Sequence, residues 1–202
     1  GETNTRLAIL FDASASMGYT STGVAKIEYA RFLAASLAYL SIQQRDSVSL
    51  IVYDEHVRQY IPASARAGQL TAILHTLERA QPGARTQTDQ AFQHLERFTR
   101  RRGLVAVISD FYHPPEHIVQ ALRPLCYHGN DIVLFHVMDP AELAPAFDDS
   151  TLLEDMETGE RMEVAPEYAR GQYRQLIQGH IDKLSADVRG AGADYLLLDT
   201  SR

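Results

Sequence analysis

Short apolar runs, each followed by a stretch of helical periodicity, constrain this chain more than any other feature. Residues 7–11 (Leu-Ala-Ile-Leu-Phe) close on Asp12, residues 104–108 lead into Ser109 and Asp110, and residues 131–137 form a third run. Such runs read as strands covered on both faces. Residues 47–53 form a further strand, and residues 57–61 follow it as a hairpin partner after the short Asp54-Glu55-His56 turn. In residues 24–42, Ile27, Ala30, Leu33, Ala34, Leu37 and Ala38 recur at helical spacing. Helices are also expected over residues 66–80 and 89–101, divided by Pro82-Gly83, and over 116–126 and 166–189. Residues 194–198 complete the strands, and residues 151–164 read as a hairpin turning at Glu157-Thr158-Gly159.

Strands alternating with helices dictate an α/β fold, with a mostly parallel sheet covered by helices on both faces. Right-handed crossovers give the doubly wound, Rossmann-like order 3-2-1-4-5-6 for a six-stranded sheet, with strand 3 antiparallel at one edge. Ligands in such sheets bind beyond the strand C-termini where the order reverses, here between strands 1 and 4. Those strands end in Asp12 and Asp110, so both carboxylates fall on the expected crevice.

At 202 residues the chain is expected to be one domain, 1–202, with residues 139–164 as an acidic β-hairpin insertion. Asp and Glu outnumber Lys and Arg by 26 to 19, which argues against nucleic acid as a partner. The lone Cys126 rules out an internal disulfide and a Cys-x-x-Cys knuckle, and reads as a small core residue. A polar start at Gly1 reads as a segment excised from a longer parent. No apolar stretch is long enough to span a membrane; the expected compartment is the cytoplasm, with membrane association of the longer parent an open alternative.

Three segments carry candidate chemistry. In Phe11-Asp12-Ala13-Ser14-Ala15-Ser16-Met17 the residues Asp12, Ser14 and Ser16 alternate, and an extended turn would point all three side chains one way. Arg85-Thr86-Gln87-Thr88-Asp89 precedes a helix and adds two hydroxyls, and Ile108-Ser109-Asp110-Phe111 ends a strand with a carboxylate. Gathered at one crevice, these hard oxygens with two formal charges suit Mg²⁺ or Mn²⁺ rather than Zn²⁺. Neutral hydroxyls leave such an ion under-neutralised, so an incoming carboxylate gains more here than at an all-carboxylate site. Each segment has a plain alternative, because Ser and Asp after a strand are ordinary cap and turn residues.

At these residues the chain resembles von Willebrand factor type A (vWA) domains, whose Asp-x-Ser-x-Ser signature Asp12, Ser14 and Ser16 match. The resemblance implies a metal-ion-dependent adhesion site (MIDAS). Ser14, Ser16 and Thr86 would touch Mg²⁺, with Thr88 as the alternate to Thr86, while Asp12 and Asp110 act largely through waters. A partner protein would then supply a Glu or Asp to the open position. Glu2-Thr-Asn, Ser16-Met17-Gly18, Lys26-x-Glu28-Tyr29-Ala30, Ser109-Asp110-Phe111 and Leu153-Glu154-Asp155-x-Glu157-Thr158-Gly159 are similar to one bacterial family of unknown function. Its members are typically encoded beside MoxR-type AAA+ ATPases. That likeness implies a non-catalytic adaptor for such an ATPase in protein complex assembly or maturation.

Competing chemistries fit less well. A phosphorylated Asp12, as in Mg²⁺-dependent phosphatases and hydrolases, usually wants a second carboxylate where this chain has Ser14. Gly18 and Gly23 have P-loop spacing, but Val24-Ala25 replaces the required Lys-Ser/Thr. His113-Pro-Pro-Glu116-His117 matches a zinc-protease string, yet the prolines push His113 out of any helix. Arg100-Arg101-Arg102 reads as a solvated helix end. Residues 139–163 hold nine acidic side chains against Arg161 alone, net −8, while the rest of the chain balances at +1. A solvated appendage and a partner-docking surface are both open readings of that stretch.

Overall fold

The computed structural model describes residues 5–83, 102–145, 150–156 and 159–202. Its main sheet has six strands: β1 (Arg6–Asp12), β2 (Ser47–Tyr53), β3 (Val57–Ser64), β4 (Leu104–Ser109), β5 (Asp131–Met138) and β8 (Asp194–Asp199). The order is β3-β2-β1-β4-β5-β8, and only β3 runs antiparallel. This is the expected order, with β8 as the sixth strand of the sheet. β6 (Thr151–Glu154) and β7 (Arg161–Val164) pair apart from it as the expected hairpin.

Strand alternation explains why β1 is apolar throughout. Leu7, Ile9 and Phe11 point into one core with Val48, Leu50 and Val52, beneath α1 (Lys26–Gln43) and α2 (Gln69–Arg79). Ala8 and Leu10 point into the opposite core, covered by α3 (Pro115–Tyr127) and α5 (Arg174–Gly190). Both faces exclude water, so no position on the central strand favours a polar side chain until Asp12 reaches the end. The inner stripe of α1 is mostly small, Ala30, Ala34 and Ala38, which lets the helix sit close to the sheet. Its larger Phe32, Tyr39 and Leu40 face outward.

Local chemistry moved the element boundaries by a few residues. α3 starts at Pro115 with Pro114 as its cap residue, which leaves His113 outside the helix and dissolves the zinc-protease pattern. The stretch after Asp12 is a 3₁₀ turn, Ala15–Gly18, rather than extended. A short helix unforeseen in the sequence, α4 (Pro140–Leu143), follows β5, with Asp139 and Glu142 capping each other across its first turn. The expected helix over residues 166–189 is present, but its start carries a π segment, Ala169–Tyr173, before α5. The expected helix over residues 89–101, and Thr86 and Thr88, lie outside the described residues.

Candidate functional site

β1 and β4 are adjacent and parallel, so their ends, Asp12 and the Ser109-Asp110 pair, emerge side by side at the crevice. Asp12 is held from two sides: its Oδ1 accepts the Ser14 N–H at 2.8 Å, and its Oδ2 accepts the Ser109 hydroxyl at 2.5 Å. The 3₁₀ turn brings the Ser14 and Ser16 hydroxyls to 3.2 Å of each other. Asp12, Ser14, Ser16 and Asp110 are thus gathered as the sequence suggested. Gly83, three residues before Thr86, donates its N–H to the Ala13 carbonyl at 2.7 Å. A Cβ there would lie 2.8 Å from Asp54 Oδ2 and 2.9 Å from Arg58 Nη2, so any side chain would have to displace that ion pair.

The donor set fits a small divalent ion. Two ligands at right angles about an ion at roughly 2.1 Å lie about 3 Å apart, close to the observed hydroxyl separation. Asp12 is fixed by its hydrogen bonds while each of its oxygens keeps a further acceptor position. Among the described residues no group of three or more His, Cys, Asp or Glu is arranged to hold a metal, so an ion here would depend on the serine hydroxyls.

Two charged residues that the sequence had not placed here complete the crevice. Lys26, at the first position of α1, is fully buried, and its Nζ lies 2.8 Å from Asp110 Oδ2 and 2.7 Å from Glu142 Oε1. The ammonium also sits 4.9 Å from the centre of the Tyr112 ring. Beside the two carboxylates expected among the oxygen ligands, a third carboxylate and one ammonium therefore share the site. Two signals could have pointed to Lys26. Of the 19 basic residues only Lys26 and Lys183 are lysines, and a cation in the first turn of a helix opposes its dipole. Glu142 gave no comparable signal, because it merges into an acidic stretch.

Electrostatics follow the packing. Burial, and then the negative charge of Asp110, push Asp12 up to about 7, against the opposing hydrogen bonds from Ser109 and Ser14. Burial alone would lower Lys26, but Asp110 and Glu142 together outweigh it and raise its value. Behind the crevice, Phe111 takes a left-handed backbone, φ 45°, with its N–H on the Ser109 hydroxyl and its side chain fully buried. His136 lies edge-on to that ring, and its Nδ1 is 2.6 Å from the Tyr195 hydroxyl. Burial takes His136 down to about 3.

Comparison with known proteins extends these observations. Residues 2–182 match a family model described as "Protein of unknown function DUF58". Uncharacterized proteins of Mycobacterium tuberculosis and Mycobacterium bovis are 26% identical over 200 residues, covering 96% of this chain and 62% of theirs. The chain therefore spans about 62% of the length of these curated relatives. An uncharacterized protein of Mycobacterium avium is 29% identical over 146 residues, covering 68% of this chain and 84% of its own. Among solved structures, the conserved hypothetical protein BatB from Bacteroides thetaiotaomicron superposes with a TM-score of 0.65 at 17% identity, covering 96% and 90% of the two chains. An aerotolerance-related membrane protein from Bacteroides fragilis, solved with multiple mutations to serines, gives 0.66 at 17%, covering 98% and 92%. The SpRpn10 VWA domain gives 0.52 at 11%, covering 98% and 89%. At such identities the likeness concerns the fold, which is vWA-like.

Proposed function

The chain belongs to the DUF58 family of proteins of unknown function, and from that premise we propose that it is a metal-dependent protein-binding module without catalysis of its own. Its recognition centre is the crevice of Asp12, Ser14, Ser16 and Asp110, with Thr86, or Thr88 in its place, completing the set. The observation that carries this reading is the convergence of the Asp12, Ser14, Ser16 and Asp110 oxygens where strand order reverses, with two hydroxyls at the spacing of adjacent ligands. Mg²⁺, or Mn²⁺, would supply a Lewis-acidic centre there that a Glu or Asp of a partner protein completes. Ser109 and the Ser14 N–H orient Asp12, and the Ser14 and Ser16 hydroxyls would hold the ion without neutralising it. That residual charge is what a partner carboxylate gains from. By the family resemblance, the partner is a MoxR-type AAA+ ATPase acting in bacterial protein complex assembly or maturation. The described residues contain no helix long and apolar enough to cross a membrane, and we place the working compartment in the cytoplasm.

Calorimetric titration of Mg²⁺ and Mn²⁺ tests the centre. Binding by the native chain, and its loss in Asp12→Ala with Asp110→Ala while circular dichroism stays native, is the expected result. Absence of binding both alone and with the ATPase present would refute the metal-dependent reading. The rival reading, a Mg²⁺-dependent hydrolase with Asp12 as nucleophile, demands turnover of a generic phosphate ester that Asp12→Asn abolishes. Asp12 is only 6% exposed and both of its oxygens accept hydrogen bonds, which disfavours it as a free nucleophile.

A further inference from the structure

We propose that Lys26 is a tethered cation that competes with a divalent ion for Asp110, so that metal loading requires the ammonium to leave Asp110 and settle on Glu142. This rests on the metal-dependent reading above and names how that site is regulated. The ammonium bridges two carboxylates at almost equal distances, 2.8 Å to Asp110 and 2.7 Å to Glu142. Only Asp110 is among the oxygens proposed to hold the ion. The other is anchored without help from Lys26: Glu142 Oε2 accepts the Asp139 N–H at 2.9 Å. Asp139 is in turn fixed by the Ser21 N–H and the Ala141 N–H, each at 2.8 Å, and by the Ser21 hydroxyl. Glu142 is therefore a standing second seat for the ammonium.

The choice of residue fits the task. Seventeen of the 19 cationic side chains are arginines, yet a lysine occupies this position. A guanidinium would fork across both carboxylates in a fixed plane, whereas an ammonium is a point charge on a flexible stem that can shift between them. Lys26 is fully buried, so water cannot supply its missing partner, and leaving Asp110 requires the remaining contacts to Glu142 and the Tyr112 ring. With all carboxylates ionised the cluster carries net −2, the charge that one divalent ion neutralises.

Magnesium affinity, measured by calorimetry on the full chain, tests the competition. The double variant Lys26→Met with Glu142→Gln keeps the net charge at −2 but frees Asp110, and it should bind Mg²⁺ at least tenfold more tightly than the native chain. Unchanged or weaker binding by a folded double variant overturns the competition and makes Lys26 a positioning residue for Asp110, while the metal-dependent module stands. Glu142→Gln alone leaves the ammonium on Asp110, so its Mg²⁺ affinity should fall at least tenfold, and an unchanged value also overturns the proposal. Selective ¹⁵N-lysine labelling supplies an independent readout, because the chain holds only two lysines. The Lys26 Nζ signal should move with the calorimetric midpoint while Lys183 stays still, and a motionless Lys26 signal at saturation contradicts the exchange of seats. Lack of Mg²⁺ binding by the native chain and by both variants, with the ATPase present as well as without it, would sink the metal-dependent reading itself, together with this one. Binding by the double variant alone would instead support the competition.

Discussion

Asp12 titrates in a setting that opposes its charge, since burial and Asp110 raise it from 3.8 to about 7. A raised folded value means that its stabilising contribution is complete below the unfolded value near 3.8 and is lost as pH climbs through 7. Asp12→Asn should therefore gain stability relative to the native chain between pH 4 and pH 7, by at most about 1.4 kcal/mol per pH unit. Urea denaturation across that range, without divalent metal, measures it, and added Mg²⁺ should reverse the order by binding only the native chain. His136 works in the opposite direction. Its folded value is lowered to about 3, so its contribution is present above the unfolded value near 6.5 and is lost as pH falls toward 3. Lys26 shows the cost of removing one partner from a buried ionic cluster. Lys26→Met alone strands Asp110 and Glu142 and should cost roughly 3–5 kcal/mol. The paired change with Glu142→Gln should cost less, and melting temperatures of the two variants compare them directly.

The two strands that carry the site are locked together at their far ends by a backbone approach as tight as any side-chain contact. Gly103 leads into β4 where a Cβ would lie 2.5 Å from the Arg6 carbonyl oxygen and 2.9 Å from the Arg6 Cβ. Because that neighbour is backbone of the adjacent strand, it cannot swing aside. Gly103→Ala should destabilise by about 1–3 kcal/mol, and the same shift should disturb the β1–β4 pair that presents Asp12 and Asp110. Phe111 pins the other end of β4. Its ring is fully buried against His136, and its carbonyl meets His180 Nε2 of α5 at 2.9 Å. Phe111→Ala should cost about 3–5 kcal/mol in chemical denaturation. Element identity was largely legible, because β1, β2, β4 and β5 are short apolar runs with clear ends. α4 was not, since its four residues carry no periodicity and form through the reciprocal capping of Asp139 and Glu142.

At the scale of the whole molecule, acidity is concentrated rather than spread. The β6–β7 hairpin carries a Glu154–Arg161 ion pair at 2.9 Å, and Met156 near its tip comes within 3.9 Å of where a Gly18 side chain would begin. Gly18 ends the turn that holds Ser14 and Ser16, so the hairpin adjoins the rim of the crevice. A basic partner surface would meet this negative field before reaching the proposed metal centre. Charge reversal at Glu154, Asp155 and Glu157 should slow association with the ATPase and flatten its salt dependence, while leaving Mg²⁺ affinity nearly intact. Surface plasmon resonance at two ionic strengths measures the former, and an unchanged association rate would return the hairpin to a solvated appendage.

The sequence by itself determined the alternation of strands and helices, the sheet order, and the meeting of Asp12, Ser14, Ser16 and Asp110. These follow from period-2 and helical patterning and from the handedness of crossovers, which are local or topological rules. Only the tertiary structure decided which further charges join the crevice. Lys26 and Glu142 stand 116 residues apart and meet because α1 and α4 both approach the C-terminal end of the sheet. No periodicity records such a meeting. A buried ion pair is chosen by the shape and dielectric of the assembled core, which no short stretch of chain carries alone.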